Sequence, residues 1–566
     1  MSGMTRPSVM AGLFSFISCL LLTFAFHGSI LSGWWCCDDP QILKHALQYA
    51  PWEYFAVPEA WRALVPYSLT PWLSLAYDLD HALFGLQPIG YYAHNLIVIA
   101  LCAALIGLIA RQWVSGWYAF GGGLLFLVGA PVMVAAHQLM VRHYMEGLLF
   151  WLLAFWLLLR AVQDGRSRWS WLAGIAFAVA ATAKEIYLPL GLTFFLVPVG
   201  SFRQRLVAGW PLLLIMLLYL PWRWYMLGDL VGGYTPAAAL GRGDLVSALA
   251  QFANIPMLLL TWPWLPLSGV LLCIGLVIRQ TRQVWLPLVL FLTVALLVPL
   301  IPLARQPGLG TGSERYFIAL WAVLALGTAV LAGSAAAGRS RRFHLFSALV
   351  IALLIGSAWH HATAVRAALL PNLQEQFVQG RALVTAGRSD VIYLTPAVAP
   401  WYLSGIVDLQ REFGRQLPPP PLVSDEIDLS RYLMDGSRIL RYNRETQSMI
   451  DDTAQVRQLL EVWRKKVQPR LLSVLMEFDP QAKTMRWQLG PSSQGQYTLL
   501  PEVGQQPLPP QGALRMEKPP DKAFRVRYDA PEGWIAYTPL LKFALTPQGT
   551  YRLTMQGPGI LPQGSE

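Results

Sequence analysis

The chain has 566 residues, of which 55% are hydrophobic and only 13% are charged. A soluble domain usually carries about 25% charged residues, so an ordinary soluble protein is excluded. The formal net charge of +11 does not indicate nucleic acid, because the arginines stand singly or in small groups between apolar runs, with no basic stripe or aromatic platform.

In chain order, the apolar run 13–31 is long enough to span a bilayer and ends in Gly33-Trp34-Trp35, an interfacial anchor. The following segment, 34–90, is too long for a connector. Its Trp52, Trp61 and Trp72, with Leu64, Leu69 and Leu73 among polar residues, predict amphipathic helices lying in the interface. Further apolar runs at 91–110, 117–136, 144–159, 169–183, 186–199, 206–220, 258–278, 284–303, 316–331 and 345–359 bring the expected count to about eleven spans. The junction between 183 and 186 also reads as a broken helix.

From His360 onward charge and proline rise to soluble levels. The pattern there predicts a helix over 360–387, a strand at 390–394, helices at 401–413 and 453–467, and a break at 418–421. Short alternating runs at 471–478, 484–489, 496–500, 523–528, 534–541 and 551–555 then predict a small antiparallel β-sandwich. The expected fold class is an α-helical polytopic membrane protein with a C-terminal extramembrane α+β region ending in a β-sandwich. The expected domains are 1–360 (membrane), 361–465 (α/β connection) and 466–566 (β-sandwich-like).

With the N-terminus in the cytoplasm, Arg111, Arg160, Arg166, Arg168, Arg203, Arg205, Arg279, Arg282, Arg339, Arg341 and Arg342 all fall in cytoplasmic gaps, as the positive-inside rule asks. The C-terminal region is then extracytoplasmic, and the chain is expected in a bacterial inner or plasma membrane. Charges of both signs gather in the opposite gaps: Asp38, Asp39, Asp78, His94, Asn95, Arg142, His143, Glu146, Lys184, Glu185, Arg223, Glu314 and Arg315. Ionised groups at that depth are tolerated where they are solvated, paired or lining a cavity. Singly, each has a plainer reading. Asp38-Asp39-Pro40 suits a helix cap, Lys184-Glu185 a structural ion pair, and Arg223 and Arg315 interfacial snorkelling.

Taken together, these residues resemble the GT-C glycosyltransferases, in the branch of the protein O-mannosyltransferases and bacterial aminoarabinose transferases. The resemblance rests on Asp38-Asp39-Pro40-Gln41-Ile42-Leu43 after the first span and on Leu83-Phe84-Gly85-Leu86-Gln87-Pro88-Ile89-Gly90-Tyr91-Tyr92 with Asn95. It also rests on Arg142-His143-Tyr144-Met145-Glu146, on Ala183-Lys184-Glu185 with Pro189, and on Glu314-Arg315-Tyr316. Tyr92 stands where many relatives have histidine. The resemblance covers about the first 320 residues and ends near Trp359.

The resemblance implies a polyprenyl-phosphate-sugar donor in the membrane and transfer, with inversion, to an acceptor hydroxyl on a protein, lipid or polysaccharide. The expected general base is Asp38, with Asp39 second, and Glu146 orients the acceptor, holds Lys184 or binds a metal. Arg315, Arg223 and Lys184 are expected at the donor phosphate, and Arg142, His143, Glu185, His94, Asn95 and Tyr92 nearby in the cavity. Asp38, Asp39 and Glu146 are hard oxygen ligands that suit a divalent cation, yet no spacing demands one, and metal independence is the expectation. The competing readings are a transporter or flippase of a lipid-linked molecule and an O-antigen ligase-like enzyme. No convincing repeat and few mid-span charges speak for a transporter.

Overall fold

The computed structural model describes residues 9–230 (without 198), 312–394 (without 338–339) and 400–560 apart from 435, 483, 502–504, 516–518, 521 and 548. It divides into two compact units, Met1–Pro371 and Asn372–Glu566.

The first unit is helical. Helix α1 (Val9–His27) is followed by four helices in the long first loop: α2 (Asp39–Gln48), α3 (Glu53–Ala56), α4 (Pro58–Leu64) and α5 (Pro71–Phe84). Then come α6 (Pro88–Ala110), α7 (Gly116–Leu127), α8 (Ala130–His137), α9 (Arg142–Asp164), α10 (Ser167–Ala183), α11 (Tyr187–Gly191) and α12 (Phe202–Leu227). The unit closes with α13 (Ile318–Ala336) and most of α14 (Arg341–Thr385). Prolines in the first turn, whose missing N–H costs nothing there, open α2, α4, α5, α6 and α8. Helix α12 opens on a reciprocal capping box between Ser201 and Gln204.

Among the described residues six helices are long and apolar enough to cross a membrane: Gly12–Ser32, Pro88–Ala110, Leu139–Asp164, Phe202–Leu227, Ser313–Ala336 and Arg341–Thr385. A seventh span is added if Gly116–Leu127 and Ala130–His137, bent by 54°, are taken as one. The expected runs 258–278 and 284–303 lie outside the described residues. The run 169–183 is a helix of 17 residues, and 186–199 is only α11 followed by a 3-10 turn, Leu192–Leu196. About eleven spans is therefore not the number these residues display. Two runs were too short once folded, because the chain breaks at Lys184, which is extended. The bend between α7 and α8 has a visible cause: Gly129 leaves room for the Trp321 indole, which donates to the Phe126 carbonyl at 3.0 Å.

Helix α6 packs against α1, α7 and α9, α9 against α10, α10 against α12, and α7 against α13. Along these helices the charges sort by end. His94 and Asn95 begin α6, Arg142 and Glu146 begin α9, Lys184 ends α10, Arg223 nears the end of α12, and Arg315 precedes α13. Arg111, Arg160, Arg166, Arg168, Arg203 and Arg205 stand at the other ends of the same helices.

The second unit contains three sheets. Strands β1 (Asp390–Tyr393), β2 (Leu422–Val423), β3 (Arg438–Asn443) and β4 (Ser448–Asp451) form a sheet in the order 2-1-3-4, with β1 parallel to both β2 and β3. Helix α15 (Pro400–Leu409) follows β1, and helices α16 (Glu426–Met434) and α17 (Thr453–Lys466) share a core with the sheet. Next come β5 (Leu471–Asp479), β6 (Thr484–Gly490), β7 (Gln496–Leu500), β8 (Gln506–Leu508) and β9 (Gln511–Arg515). Four more follow: β10 (Arg525–Asp529), β11 (Ile535–Tyr537), β12 (Ala544–Leu545) and β13 (Tyr551–Pro558). They make a four-stranded sheet, 11-10-7-8, and a five-stranded sheet, 12-13-5-6-9. Both sheets pair antiparallel, and residues of both bury into one core, with Val474, Phe478 and Trp487 from one and Tyr497, Val526 and Tyr528 from the other. This is the expected sandwich. Strands β2 to β4 were not expected; their runs of two to six residues are too short to stand out by alternation.

Candidate active site

The polar ends of the membrane helices divide into two neighbouring groups and a clamp. The first group is built on Arg142, fully buried in the first turn of α9. Its Nη1 is 2.5 Å from Asp80 Oδ2, and its Nε and Nη2 are each 2.8 Å from Glu146 Oε1. Glu146 lies one helical turn on, the spacing at which side chains meet. His94 Nδ1 stands between Asp80 Oδ1 at 2.7 Å and Arg142 Nη2 at 2.8 Å. The guanidinium also lies 5.5 Å from the centre of the Tyr77 ring, and the Tyr77 hydroxyl donates to Asp39 Oδ1 at 2.8 Å.

Asp39 is buried at the start of α2. Its other oxygen accepts from the Cys36 backbone N–H at 2.9 Å, while its own N–H donates to the Cys36 carbonyl at 3.0 Å. The reciprocal bonds close a turn in which Cys37 takes a left-handed conformation, φ 54°. Asp38 is exposed at the N-cap of α2, and its side chain makes no capping hydrogen bond to that helix. Burial pushes the Asp39 carboxyl up to about 7, against the opposing pull of the Cys36 and Tyr77 hydrogen bonds.

The second group is cationic. Lys184 Nζ sits 4.6 Å from the centre of the Tyr144 ring, and the Arg315 guanidinium 4.9 Å from that of Tyr316. The two rings meet edge to face with centroids 6.1 Å apart. Lys184, Arg315 and Arg142 all bear electrostatically on His143, whose ring packs on Tyr144 at 4.6 Å. Burial lowers the Lys184 ammonium and Arg315 pushes it the same way, while Glu185 and Tyr316 oppose the shift. Glu185 is the nearest source of relief, but its Oε1 already accepts from Arg223 Nη1 at 2.8 Å and from the Leu69 N–H at 2.7 Å. No carboxylate among the described residues forms an ion pair with Lys184.

The Glu185–Arg223 pair is the clamp: it ties α12 to the chain between α4 and α5. Arg223 is thus placed with Glu185, and a further N–H group, Nη2, is buried without a partner. Tyr92 stands beside the acidic turn, where its hydroxyl donates to the Trp34 carbonyl at 3.0 Å. The Asn95 amide donates to the Ala135 carbonyl at 2.8 Å and joins α6 to α8. Glu314 is buried and accepts from the Gly312 N–H at 2.7 Å, shaping the turn that presents Arg315. Among the described residues no group of three or more His, Cys, Asp or Glu side chains is arranged to hold a metal ion.

Asp80 and Tyr77 escaped the sequence reading, which named Asp78. The signal that would have found them is phase: Leu73, Tyr77 and Asp80 share the buried face of α5, whereas Asp78 points off it.

The sequence profile of the family described as dolichyl-phosphate-mannose-protein mannosyltransferase matches residues 68–225, a stretch that contains both groups except Asp39, Arg315 and Tyr316. This stretch, less than half of the chain, is similar to the protein-mannosyltransferase branch of the GT-C glycosyltransferases. Protein O-mannosyl-transferase TMTC2 of Mus musculus is 29% identical over 117 residues, which is 19% of this chain and 14% of that protein. The chain therefore spans well under two thirds of the curated relative it matches. Among solved structures, ArnT from Cupriavidus metallidurans bound to undecaprenyl phosphate is 13% identical, with 82% of this chain and 93% of that one covered and a TM-score of 0.40. The apo form of that protein is 15% identical, with 77% and 93% covered and a TM-score of 0.37.

Proposed function

We propose that this protein is a membrane glycosyltransferase that moves a sugar from a polyprenyl-phosphate donor to an acceptor hydroxyl at the extracytoplasmic face. The observation that carries the reading is the pair Lys184 and Arg315, two mutually repelling cations resting on tyrosine faces, with no ion-paired carboxylate at Lys184. Two half-buried cations beside each other, with Glu185 already bonded to Arg223 and Leu69, favour a bound counter-charge. A lipid phosphate supplies it, and the family's description names a phosphate-linked lipid sugar as donor. Arginine meets phosphate through a fork of donors and lysine as a point charge, so Arg315 and Lys184 are assigned to the phosphate. Arg223, with its spare N–H, is assigned to support them.

Transfer then needs a base on the acceptor side. Asp38 is exposed beside the buried, doubly hydrogen-bonded Asp39, which suits Asp38 to take the acceptor proton and Asp39 to hold the turn. The acceptor oxygen attacks the anomeric carbon, the sugar–phosphate bond breaks, and the phosphate leaves as an anion stabilised by the cations. One displacement inverts the sugar carbon. Glu146 is committed to Arg142 and is assigned to the framework of the site. The C-terminal unit is assigned a structural role: among the described residues the outward positions of β5, β6 and β13 present Ser473, Glu477, Arg486, Gln488, Arg552 and Thr554, with no aromatic platform for a glycan.

The test is transfer of radiolabelled mannose from polyprenyl-phosphate mannose by the purified protein, with membrane extract as the acceptor source. Label moving into protein, lipid or polysaccharide, with free polyprenyl phosphate released, is expected. Intact donor crossing the bilayer of a vesicle without loss of its sugar would establish a lipid transporter instead.

A further inference from the structure

We infer that Tyr77 is the positioning residue of the acidic turn: its hydroxyl, backed by Arg142, fixes the Asp39 carboxylate and so fixes where the exposed Asp38 points. This rests on the glycosyltransferase reading above and adds to it a residue that does not itself touch substrate.

The turn at Cys36–Asp39 is closed by the Asp39 N–H donating to the Cys36 carbonyl and by the Asp39 carboxylate accepting from the Cys36 N–H. That carboxylate accepts a second hydrogen bond at the same time, from the Tyr77 hydroxyl. The second donor comes from a helix 38 residues further on, so the turn is registered against α5 and not merely within itself. Tyr77 in turn has little freedom: it is fully buried, its ring meets Tyr91 at 5.7 Å, and the Arg142 guanidinium lies over it. Arg142 is itself fixed by Asp80, His94 and Glu146. The route from α9 to the acidic turn is thus a chain of direct contacts, Arg142 to Tyr77 to Asp39, ending one residue from Asp38. The titratable and charged groups that bear on Asp39 or on Tyr77 are Asp38, Cys36 and Cys37 on its own segment, Tyr77 on α5, Tyr92 on α6 and Arg142 on α9.

Protonation of Asp39 turns one acceptor oxygen into a donor, which breaks one of the two bonds. The Tyr77 hydrogen bond favours the ionised carboxyl and opposes the effect of burial. Removing only the hydroxyl should therefore shift Asp39 toward its protonated form and leave the ring, with its Arg142 contact, in place.

The experiment compares wild type, Tyr77→Phe and Asp39→Asn as purified full-length proteins. Infrared difference spectra across pH isolate the Asp39 carboxyl band, identified by its loss in Asp39→Asn. The band should titrate near 7 in wild type and about one pH unit higher in Tyr77→Phe. Over the same range, sugar transfer by Tyr77→Phe should show its acidic limb displaced upward by a similar amount. Its kcat should be about tenfold lower near neutral pH, with KM for the donor lipid unchanged. A merely structural tyrosine would leave the limb where it was. An unmoved band in an active background overturns the coupling argued here alone. Absence of transfer by wild type overturns the preceding reading and with it the catalytic meaning of Tyr77.

Discussion

The two halves of the site handle charge in opposite ways. Around Arg142 the charges are paired: one guanidinium, two carboxylates and an imidazole are linked by contacts of 2.5 to 2.8 Å. Around Tyr144 and Tyr316 the cations rest on aromatic faces and repel each other. A paired buried network gains rigidity but offers a ligand little charge, whereas cations gathered in one place favour a bound anion. On the proposed reading shape-keeping falls to the first half and donor binding to the second, and mutations should separate the two.

The largest effect is expected from a residue in neither network. Asp38→Asn should lower transfer by roughly 10²–10⁴-fold, the usual contribution of a general base, with donor binding intact; full activity would remove Asp38 from the chemistry. Next, Arg142→Leu strands Asp80 and Glu146 in the interior, and should cost about 3–5 kcal/mol of stability, seen as a lowered thermal unfolding midpoint. If Arg142→Leu unfolds like wild type, the framework role is wrong and the comparison fails. Lys184→Met should do the reverse. With no ion pair to lose, the fold should be unchanged or firmer, while affinity for polyprenyl phosphate should fall by roughly 10–100-fold, the value of one charged hydrogen bond. Microscale binding to the lipid in detergent reads this directly.

The smallest effect is in pH. Asp39 has a folded-state value near 7, raised from 3.8. The folded chain therefore holds a proton that the unfolded chain has already released, and the stability tied to that proton is lost as pH rises from about 4 to about 7. Asp39→Asn should flatten the unfolding midpoint across that window. Activity should run the other way, rising as Asp39 ionises and the turn closes.

Much of this was legible in the sequence because a bilayer leaves blunt marks. The apolar runs locate α1, α6, α9, α12 and α13, and Arg142 and Glu146 stand at the spacing of one helical turn. The joining of Glu185 to Arg223 was not legible, nor that of Asp80 to Arg142, since each pair is separated by 38 and 62 residues respectively and periodicity carries no information about such distances. Hydropathy also gave no role to Tyr77, nor to Tyr144 and Tyr316 within their motifs, until the hydroxyl of the first and the faces of the other two are seen against charged groups. The junction between the runs 169–183 and 186–199 did read as a broken helix, and the chain breaks there, with Lys184 extended.

The most direct test of the account is a paired reading on Asp38→Asn: binding of polyprenyl-phosphate mannose and release of its sugar, measured on the same purified sample. The account predicts wild-type donor affinity with release reduced at least a hundredfold, as general-base loss requires. Release at the wild-type rate, or loss of donor binding in step with loss of release, would contradict the division between a base at Asp38 and a phosphate site at Lys184 and Arg315.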